Sequence, residues 1–159
     1  MKHFIPFTLF LLTNLSLIRA EIIINEIHYN SEPNNNLNEF IELYNSGTDT
    51  LDLSGWFFSD GINFQFNEGA LIEAKSFIVI SEDPESLQNT LGASSLGPYT
   101  GNLGSGERIE LRKNDGTIAD SVDYKSKFPW PVGANGTGAS MELINPSLDN
   151  DLGLSLIHI

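Results

Sequence analysis

Short segments in which apolar and polar residues alternate recur along the chain from residue 22 onward. In NEFIELYN, the period of two places Phe40, Glu42 and Tyr44 on one face of a strand and Ile41 and Leu43 on the other. Similar segments are EIIINEIHYN, LDLSGWFFSDG, FQF, SFIVIS and SMELI. Turn residues separate these segments, so the pattern predicts an all-β, antiparallel two-sheet sandwich of roughly seven to nine short strands.

The segment ERIELRKNDGTIADSVDY predicts a β-hairpin. Its two arms flank an Asn-Asp-Gly turn, and such turns suit the backbone of a tight hairpin. The residues predicted to line one shared core are the apolar ones on the inward faces of the strands: Ile22, Ile24, Ile41, Leu43, Leu53, Ile78, Ile80, Ile109, Leu111, Ile118 and Val122.

One short helix is predicted after the SFIVIS strand. Asp83 can cap its amino end, Pro84 suits its first position, and Gly92 can end it after Leu91. The next stretch, GASSLGPYTGNLGSG, is rich in Gly and Ser, so it predicts a long loop with a short strand near residues 99–103.

Residues 1–20 have the pattern of a secretory signal peptide. Lys2 and His3 form a basic start, residues 5–17 are mostly apolar, and small Ala20 ends a suitable cleavage site. Polar interruptions at Thr13 and Asn14 argue against a membrane-spanning helix, which needs about 20 apolar residues. We therefore expect a secreted or cell-surface domain over residues 21–153, with an uncleaved N-terminal anchor as the alternative.

The composition narrows the classes of partner. The chain has 21 acidic residues against 8 Lys and Arg, for a net charge of −13. Nucleic acid and anionic lipid surfaces require clustered basic residues, so a protein or cell-surface partner is expected instead. The chain contains no cysteine, so an exported form must be stabilised by its core without disulfides.

Four stretches, in order, resemble the lamin-tail domain family: IIINEIHYN, NEFIELYNSGTDTLDLSGWFFSDG, LGSGERIELRKNDGTIADSVDY and ASMELINPSLDND. The resemblance covers about residues 22–151 and implies an immunoglobulin-like sandwich that is mostly non-catalytic. In nuclear lamins this domain follows a coiled coil and contacts partner proteins, but no coiled-coil pattern precedes it here. The chain is more similar to exported bacterial members, which are accessory modules of long surface or secreted proteins.

This resemblance implies a non-enzymatic binding or spacer module within a larger exported protein, with no cofactor. The alternative is an N-terminal accessory domain of an exported enzyme whose catalytic domain, kinase-like or a nuclease, lies elsewhere. The kinase-like domain and the nuclease are suggested because some exported family members carry such catalytic domains beside the lamin-tail module.

The last six residues, LSLIHI at 154–159, depart from the resemblance. Family members continue past PSLDND to a tryptophan-containing close of the domain, whereas LSLIHI looks like the translated end of a sequencing adapter. We expect a non-native tail that lies loose or packs with few side-chain contacts. The alternative is an edge strand, which the β-propensity of Ile157 and Ile159 allows.

Asn25, Glu26, Glu42 and Asn45 are polar residues within apolar strand segments. We interpret them as structural, because a carboxylate or amide at a strand end can bind the backbone of a neighbouring loop. On this interpretation Glu42→Gln lowers thermal stability. The alternative is a hydrolase in which Glu26 and Glu42 act as acid and base across a cleft.

Two tryptophans are candidate partner contacts. Trp56 lies in an aromatic run with Phe57 and Phe58, and Trp130 stands between two prolines, which keep it out of a strand ladder. A rigid, projecting Trp130 can anchor a partner. We favour the alternative, a ring that folds back as a lid on the end of the sandwich.

Metal sites have weaker support in the sequence. Zinc is disfavoured, because His28 is the one histidine outside the signal and tail segments and there is no cysteine. Calcium is an open alternative, since carboxylate oxygens are its preferred ligands, although no stretch matches the calcium-binding loop. Its candidate ligands are Asp49, Asp52, Asp60, Asp120, Asp123, Asp149 and Asp151.

Overall fold

A computed structural model describes residues 21–30 and 38–159. The predicted signal segment, residues 1–20, lies outside the described residues. The described strands are β1 (Ile22–His28), β2 (Phe40–Asn45), β3 (Leu51–Asp52), β4 (Phe57–Asp60), β5 (Ile62–Gln65), β6 (Leu71–Ile72), β7 (Phe77–Ser81), β8 (Thr100–Gly101), β9 (Arg108–Arg112), β10 (Ile118–Asp123), β11 (Met141–Leu143) and β12 (Leu156–His158). One α-helix, α1 (Pro84–Leu91), follows β7.

Two five-stranded antiparallel sheets form the sandwich, which confirms the predicted fold class. The first sheet has the strand order β12-β11-β1-β2-β7, and the second has the order β10-β9-β4-β5-β8. Strands β3 and β6 form a separate two-stranded sheet at one end. The segment LDLSGWFFSDG, expected to form one strand near residues 53–59, contains two strands instead, because a turn at Ser54 and Gly55 separates β3 from β4.

A β-bulge in β1 explains the polar pair in the middle of its apolar sequence. Ile24 lies opposite Leu43 and Glu26 lies opposite Glu42, so Asn25 is the extra residue. A bulge shifts the alternation of side chains by one position. Ile24 and Ile27 can therefore both face the core, while Glu26 lies beside Glu42 on the other face and the Asn25 side chain is buried next to it.

The predicted hairpin is present, but its second arm also contains a bulge. Ile118 lies opposite Arg112 and Asp120 lies opposite Leu111, which leaves Ala119 as the extra residue. Ile118 therefore points away from the core and is 49 % exposed. The prediction that Ile118 is a core residue is wrong for this reason.

The helix has the ends that the sequence predicts. The side chain of Asp83 accepts a hydrogen bond from the Ser86 N–H at 2.9 Å, and Pro84 begins the first turn. Gly92 ends the helix with a φ of 71°, a conformation that glycine adopts without steric cost. The predicted short strand of the following loop is β8.

A single hydrophobic core lies between the two sheets. Ile41 and Leu43 from the first sheet and Ile109 and Leu111 from the second are fully buried within it. Of the predicted core residues, Ile78 is partly buried and Ile118 is exposed; the buried ones are Ile22, Ile24, Ile41, Leu43, Leu53, Ile80, Ile109, Leu111 and Val122.

The C-terminal segment forms an edge strand, not the loose tail that we expected. Leu156 in β12 lies opposite Leu143 of β11 and is buried, whereas Ile157 is exposed on the outer face. The physical reason is that β11 offers an open ladder next to an apolar slot that Leu156 fills. The non-native origin of residues 154–159 stays a prediction.

Among residues 21–30 and 38–159, no helix is long and apolar enough to cross a membrane.

We predict that Leu43→Ala lowers the free energy of unfolding by about 2–5 kcal/mol, because Leu43 is fully buried and its loss leaves a cavity. Urea denaturation with the wild type as reference measures the change. Ile118→Ala is the control, since this exposed side chain should change stability by no more than about 0.5 kcal/mol. Equal losses at both positions would contradict the strand register described above.

Candidate functional site

Three carboxylates form a row across the outer face of the first sheet. Glu26 lies directly opposite Glu142 on one neighbouring strand and opposite Glu42 on the other. The Asn25 amide donates to Glu42 Oε1 at 2.9 Å, and the Ser140 hydroxyl donates to Glu26 Oε1 at 2.5 Å. The β-carbons of residues directly opposite on adjacent strands are separated by about 5 Å, so negative charges in this carboxylate row repel one another.

Burial and like charges change the acidity of the carboxylate row. Partial burial, followed by the charges of Glu26 and Glu142, raises the pKa of Glu42 from 4.5 to about 7, although the Asn25 hydrogen bond opposes this shift. Burial also raises the pKa of Glu26, with a smaller contribution from Glu142. The pKa of Glu42 therefore lies near neutral pH, where its carboxyl group is partly protonated.

Asn45 connects two loops at one end of the sandwich. Its amide nitrogen donates to the carbonyls of Asp49, Ile72 and Glu73 at 2.8, 3.2 and 3.1 Å. Its amide oxygen accepts from the Gly47 N–H at 2.9 Å. The side chain is fully buried, so these bonds satisfy backbone groups that water cannot reach. These are the contacts of a loop-pinning residue.

Glu39 has the corresponding position at the opposite end of β2. Its carboxylate is buried and accepts the N–H of Asn30 at 3.2 Å and the N–H of Leu103 at 3.0 Å. Burial raises its pKa, while these two backbone hydrogen bonds act in the opposite direction. Glu39 thus ties the end of β1 to the loop that leads into β9.

Asp120 and Asn150 hold the backbone of β1 where the ladder of β11 ends. The Ile24 N–H donates to Asp120 Oδ2 at 2.7 Å, and the Asn150 amide donates to Asp120 at 2.7 Å and to the Ile24 carbonyl at 2.9 Å. Burial raises the pKa of Asp120 to about 6, against the effect of these hydrogen bonds. A carboxylate of the second sheet thereby fastens the first sheet.

The aspartates proposed as calcium ligands are dispersed and locally bonded. Asp123 pairs with Lys125, Asp52 accepts from Ser54, and Asp149 accepts the N–H of Asp151. Within residues 21–30 and 38–159, no group of three or more His, Cys, Asp or Glu side chains is arranged to hold a metal ion. His28 contacts the Asn38 carbonyl through Nδ1 at 2.9 Å and packs against Phe40.

The two tryptophans occupy different environments. Trp130 is only 7 % exposed and belongs to the core, so it does not project toward a partner and instead lies as a lid on the sandwich. Phe128, two residues earlier, projects in its place and is 83 % exposed. Trp56 is partly buried against the core, with Lys113 Nζ 5.7 Å from the centre of its ring.

A groove of about 440 Å³ lies between the loop before β9 and the segment after β10. Its walls include Ser105 and Gly106 on one side and Lys125, Lys127 and Phe128 on the other, above Trp130. The Tyr124 hydroxyl donates to the Gly104 carbonyl at 2.6 Å and joins the two walls. We call this feature the lysine groove.

Two smaller grooves flank the β7 edge. One, of about 310 Å³, lies between the sheets and includes Phe64, Leu71, Ile78 and Leu96. The other, of about 240 Å³, lies along Phe77, Val79 and the segment 94–96. None of Asn25, Glu26, Glu42 and Asn45 lines these two grooves or the lysine groove.

The sequence reasoning missed the buried roles of Glu39 and Asp120. A signal for Glu39 existed, because the period of two that buries Ile41 and Leu43 also directs residues 39 and 45 inward. Asp120 shares the inward face with Val122, since both lie opposite core residues of β9. Phe128 carried no signal, because the direction of a loop side chain depends on how the loop packs.

Comparison with known proteins identifies a family. The family model described as Lamin Tail Domain matches residues 19–126, which is more than half of the chain. No curated protein sequence matches the chain.

We predict that Asn45→Ala lowers the free energy of unfolding by about 1–3 kcal/mol, because buried carbonyls at Ile72 and Glu73 lose their donor. Chemical denaturation measures the loss, and hydrogen exchange should show faster opening of the loops at 47–50 and 73–76. Asn63→Ala, at an exposed position on β5, is the matched control and should leave both measurements close to wild type. A stable Asn45→Ala variant would remove the loop-pinning role.

We predict that the effect of Glu42→Gln depends on pH. The raised pKa of Glu42 means that the folded protein favours the protonated form, so its contribution to stability is complete below about 4.5 and is lost as pH rises through about 7. Glutamine stays neutral and keeps an oxygen for Asn25. The variant should therefore melt above wild type at pH 8, with the difference shrinking toward pH 5.

This outcome reverses the sign that the sequence led us to expect for Glu42→Gln near and above neutral pH. Glu68→Gln, at an exposed position, gives the same change in formal charge and serves as the control. Melting curves of the three proteins between pH 5 and 8 provide the comparison. A Glu42→Gln variant that melts below wild type at every pH would show that the charged carboxylate is needed.

Proposed function

Because the chain belongs to the lamin-tail domain family, we propose that it is an exported, non-catalytic module that binds a partner within a larger surface or secreted protein. The family's domain is a non-catalytic, immunoglobulin-like sandwich. Export is inferred from the signal pattern of residues 1–20, and partner binding from the exposed apolar surface around Phe128.

The observation that carries the non-catalytic part is the placement of Glu26 and Glu42. An acid and a base that work together on a glycosidic bond face each other across a cleft that holds the substrate. Here the two carboxylates lie side by side on adjacent strands of one sheet face, and their oxygens accept from Asn25 and Ser140. The geometry supports a structural role for both.

Polar side chains buried in the sandwich are likewise engaged with the fold. Glu39, Asn45 and Asp120 each bind backbone groups of other segments. Because these contacts join loops and sheets, the polar residues of the interior stabilise the scaffold. Recognition of a partner then falls to loops at its surface, as is common for sandwich domains.

We predict that a bacterial host exporting the full chain removes residues 1–20 and releases a protein that begins at Glu21. Intact-mass spectrometry of the exported fraction identifies the new N-terminus. Leu11→Arg is the control, because a charge placed within the apolar stretch should block export. Retention of Met1 in a surface-bound product would favour the uncleaved anchor.

The same purified protein should show no turnover of glycans, phosphoesters or nucleic acids. Glu42→Gln separates the two explanations if turnover is detected. Turnover that disappears in this variant, while the melting temperature is maintained, would establish the hydrolase alternative and end the non-catalytic proposal.

A further inference from the structure

We propose that the lysine groove is the docking site for an extended, acidic peptide segment of a partner protein in which an apolar side chain stands next to a carboxylate. This inference rests on the proposed binding function and specifies its surface and ligand class. It follows from the charge of the groove, from the apolar residues on its rim and from the way its walls are held.

The groove is locally basic on a strongly acidic protein. Lys125 and Lys127 line it, and no Asp or Glu is among its lining residues. Lys127 forms no ion pair with any residue that the structure describes. Lys125 pairs with Asp123, but both side chains are about half exposed, and such pairs contribute little. Both cations are therefore available to a carboxylate.

This charge distribution favours an acidic ligand at the groove, because two lysines line it while the chain as a whole has a net charge of −13. The net negative charge of the protein repels an acidic ligand at other parts of the surface. At physiological salt this repulsion is screened beyond about 8 Å, so it does not prevent the ligand from approaching the groove. Within the groove, short-range attraction to two lysines remains. Charge complementarity of this kind contributes mainly to the choice of partner and to the register of binding.

The rim of the groove is apolar. Phe128 projects almost completely into solvent, and Val132, two residues after Trp130, and Leu152, next to Gly153, are exposed as well. Gly153 brings the Leu152 segment against Pro129 and Trp130, since a β-carbon at Gly153 would lie 2.8 Å from the Trp130 nitrogen. An exposed apolar patch with a polar surround is typical of an interaction surface.

These apolar residues favour a peptide over an acidic polysaccharide. A sugar ring can cover the face of Phe128, but its hydroxyl groups would lose water against the aliphatic side chains of Val132 and Leu152. An aliphatic or aromatic side chain of a peptide can pack against the Phe128 ring or against the aliphatic side chains without this cost. A carboxylate within one or two residues of it then reaches Lys125 or Lys127.

The groove is also rigid before any ligand arrives. Tyr124 joins its two walls through the Gly104 carbonyl, and Glu39 holds the adjoining backbone at Leu103. Buried Trp130 forms part of its floor. A preformed site loses little conformational entropy on binding, so a short peptide segment can be retained.

The test is selection of a phage-displayed library of random peptides, about twelve residues long, on the purified full chain. We expect enriched sequences to place Asp or Glu next to Phe, Leu, Ile or Trp. Fluorescence anisotropy with the enriched peptide, in about 150 mM salt, then gives dissociation constants for the variants. Lys127→Glu and Phe128→Ser should each weaken binding about tenfold or more.

Lys113→Glu is the matched control. It makes the same charge change beyond the far end of β9, next to Trp56, and should alter the dissociation constant less than about threefold. Lys127 and Phe128 are both exposed, so their substitution should not unfold the domain. Melting curves of Lys127→Glu, Phe128→Ser and Lys113→Glu test whether each variant remains folded. Loss of binding in Lys113→Glu but not in Lys127→Glu would move the site to Trp56 and overturn the proposal.

The remaining outcomes separate this proposal from the one on which it rests. Enriched peptides that are basic, or that bind Lys127→Glu as tightly as wild type, would refute the lysine groove as the docking site. The proposal that the domain binds a partner would remain. Binding of polygalacturonate, with no peptide enriched, would refute the peptide class. Failure of the folded chain to enrich any peptide or bind the polymer would count against both proposals.

Discussion

Loops that cross the ends of a β-sandwich bury backbone groups that need hydrogen-bond partners, and the rest of this structure depends on how that need is met. Buried N–H groups need an acceptor and buried carbonyls need a donor, and the inward row of side chains along β2 supplies one of each. This row reads Glu39, Ile41, Leu43, Asn45, with the apolar pair in the core and a buried polar residue at each end. Glu39 accepts backbone N–H groups, and Asn45 donates mainly to backbone carbonyls. One strand thus fixes loops at opposite ends, and each end carries the chemistry that its loops lack.

The two bulges extend the same principle from the ends to the interior. In β1 the bulge at Asn25 lets Ile24 and Ile27 both face inward, and Asp120 and Asn150 then bind the Ile24 backbone beyond the reach of β11. In β10 the bulge at Ala119 sets the phase in which Asp120 faces inward. A partly buried carboxylate costs less free energy when it accepts several hydrogen bonds, so Asp120 is tolerated where it joins the sheets.

Local sequence patterns were sufficient for much of this fold. Alternation predicted the strands and most of the core, Asp83, Pro84 and Gly92 predicted the helix, and the Asn-Asp-Gly turn predicted the hairpin. The errors occur where a property depends on two strands at once. Whether Ile118 faces inward is decided by its partner on β9, and whether Leu156 is buried is decided by the open ladder of β11. At the candidate site, sequence singled out Asn45 but not Glu39, although both belong to one alternating row. It named Trp130 as a possible partner contact, favoured for this ring the lid that the structure shows, and did not name Phe128.

The role of each carboxylate in this domain depends on its surroundings and not on whether it belongs to Asp or Glu. Glu39 and Asp120 are enclosed and accept backbone or amide N–H groups, so they act as fixed joints. Glu26, Glu42 and Glu142 lie in a row on one sheet face, where partial burial and the neighbouring charges raise the pKa of Glu42 and of Glu26. Neither arrangement leaves a carboxylate poised across a cleft. Glu39 and the Tyr124 hydroxyl do, however, hold the loop at Leu103 and Gly104, next to the Ser105 and Gly106 wall of the lysine groove. Because the wall is fixed from inside the sandwich, the exposed side chains along the groove can vary without loosening it, and recognition can change while the fold is kept.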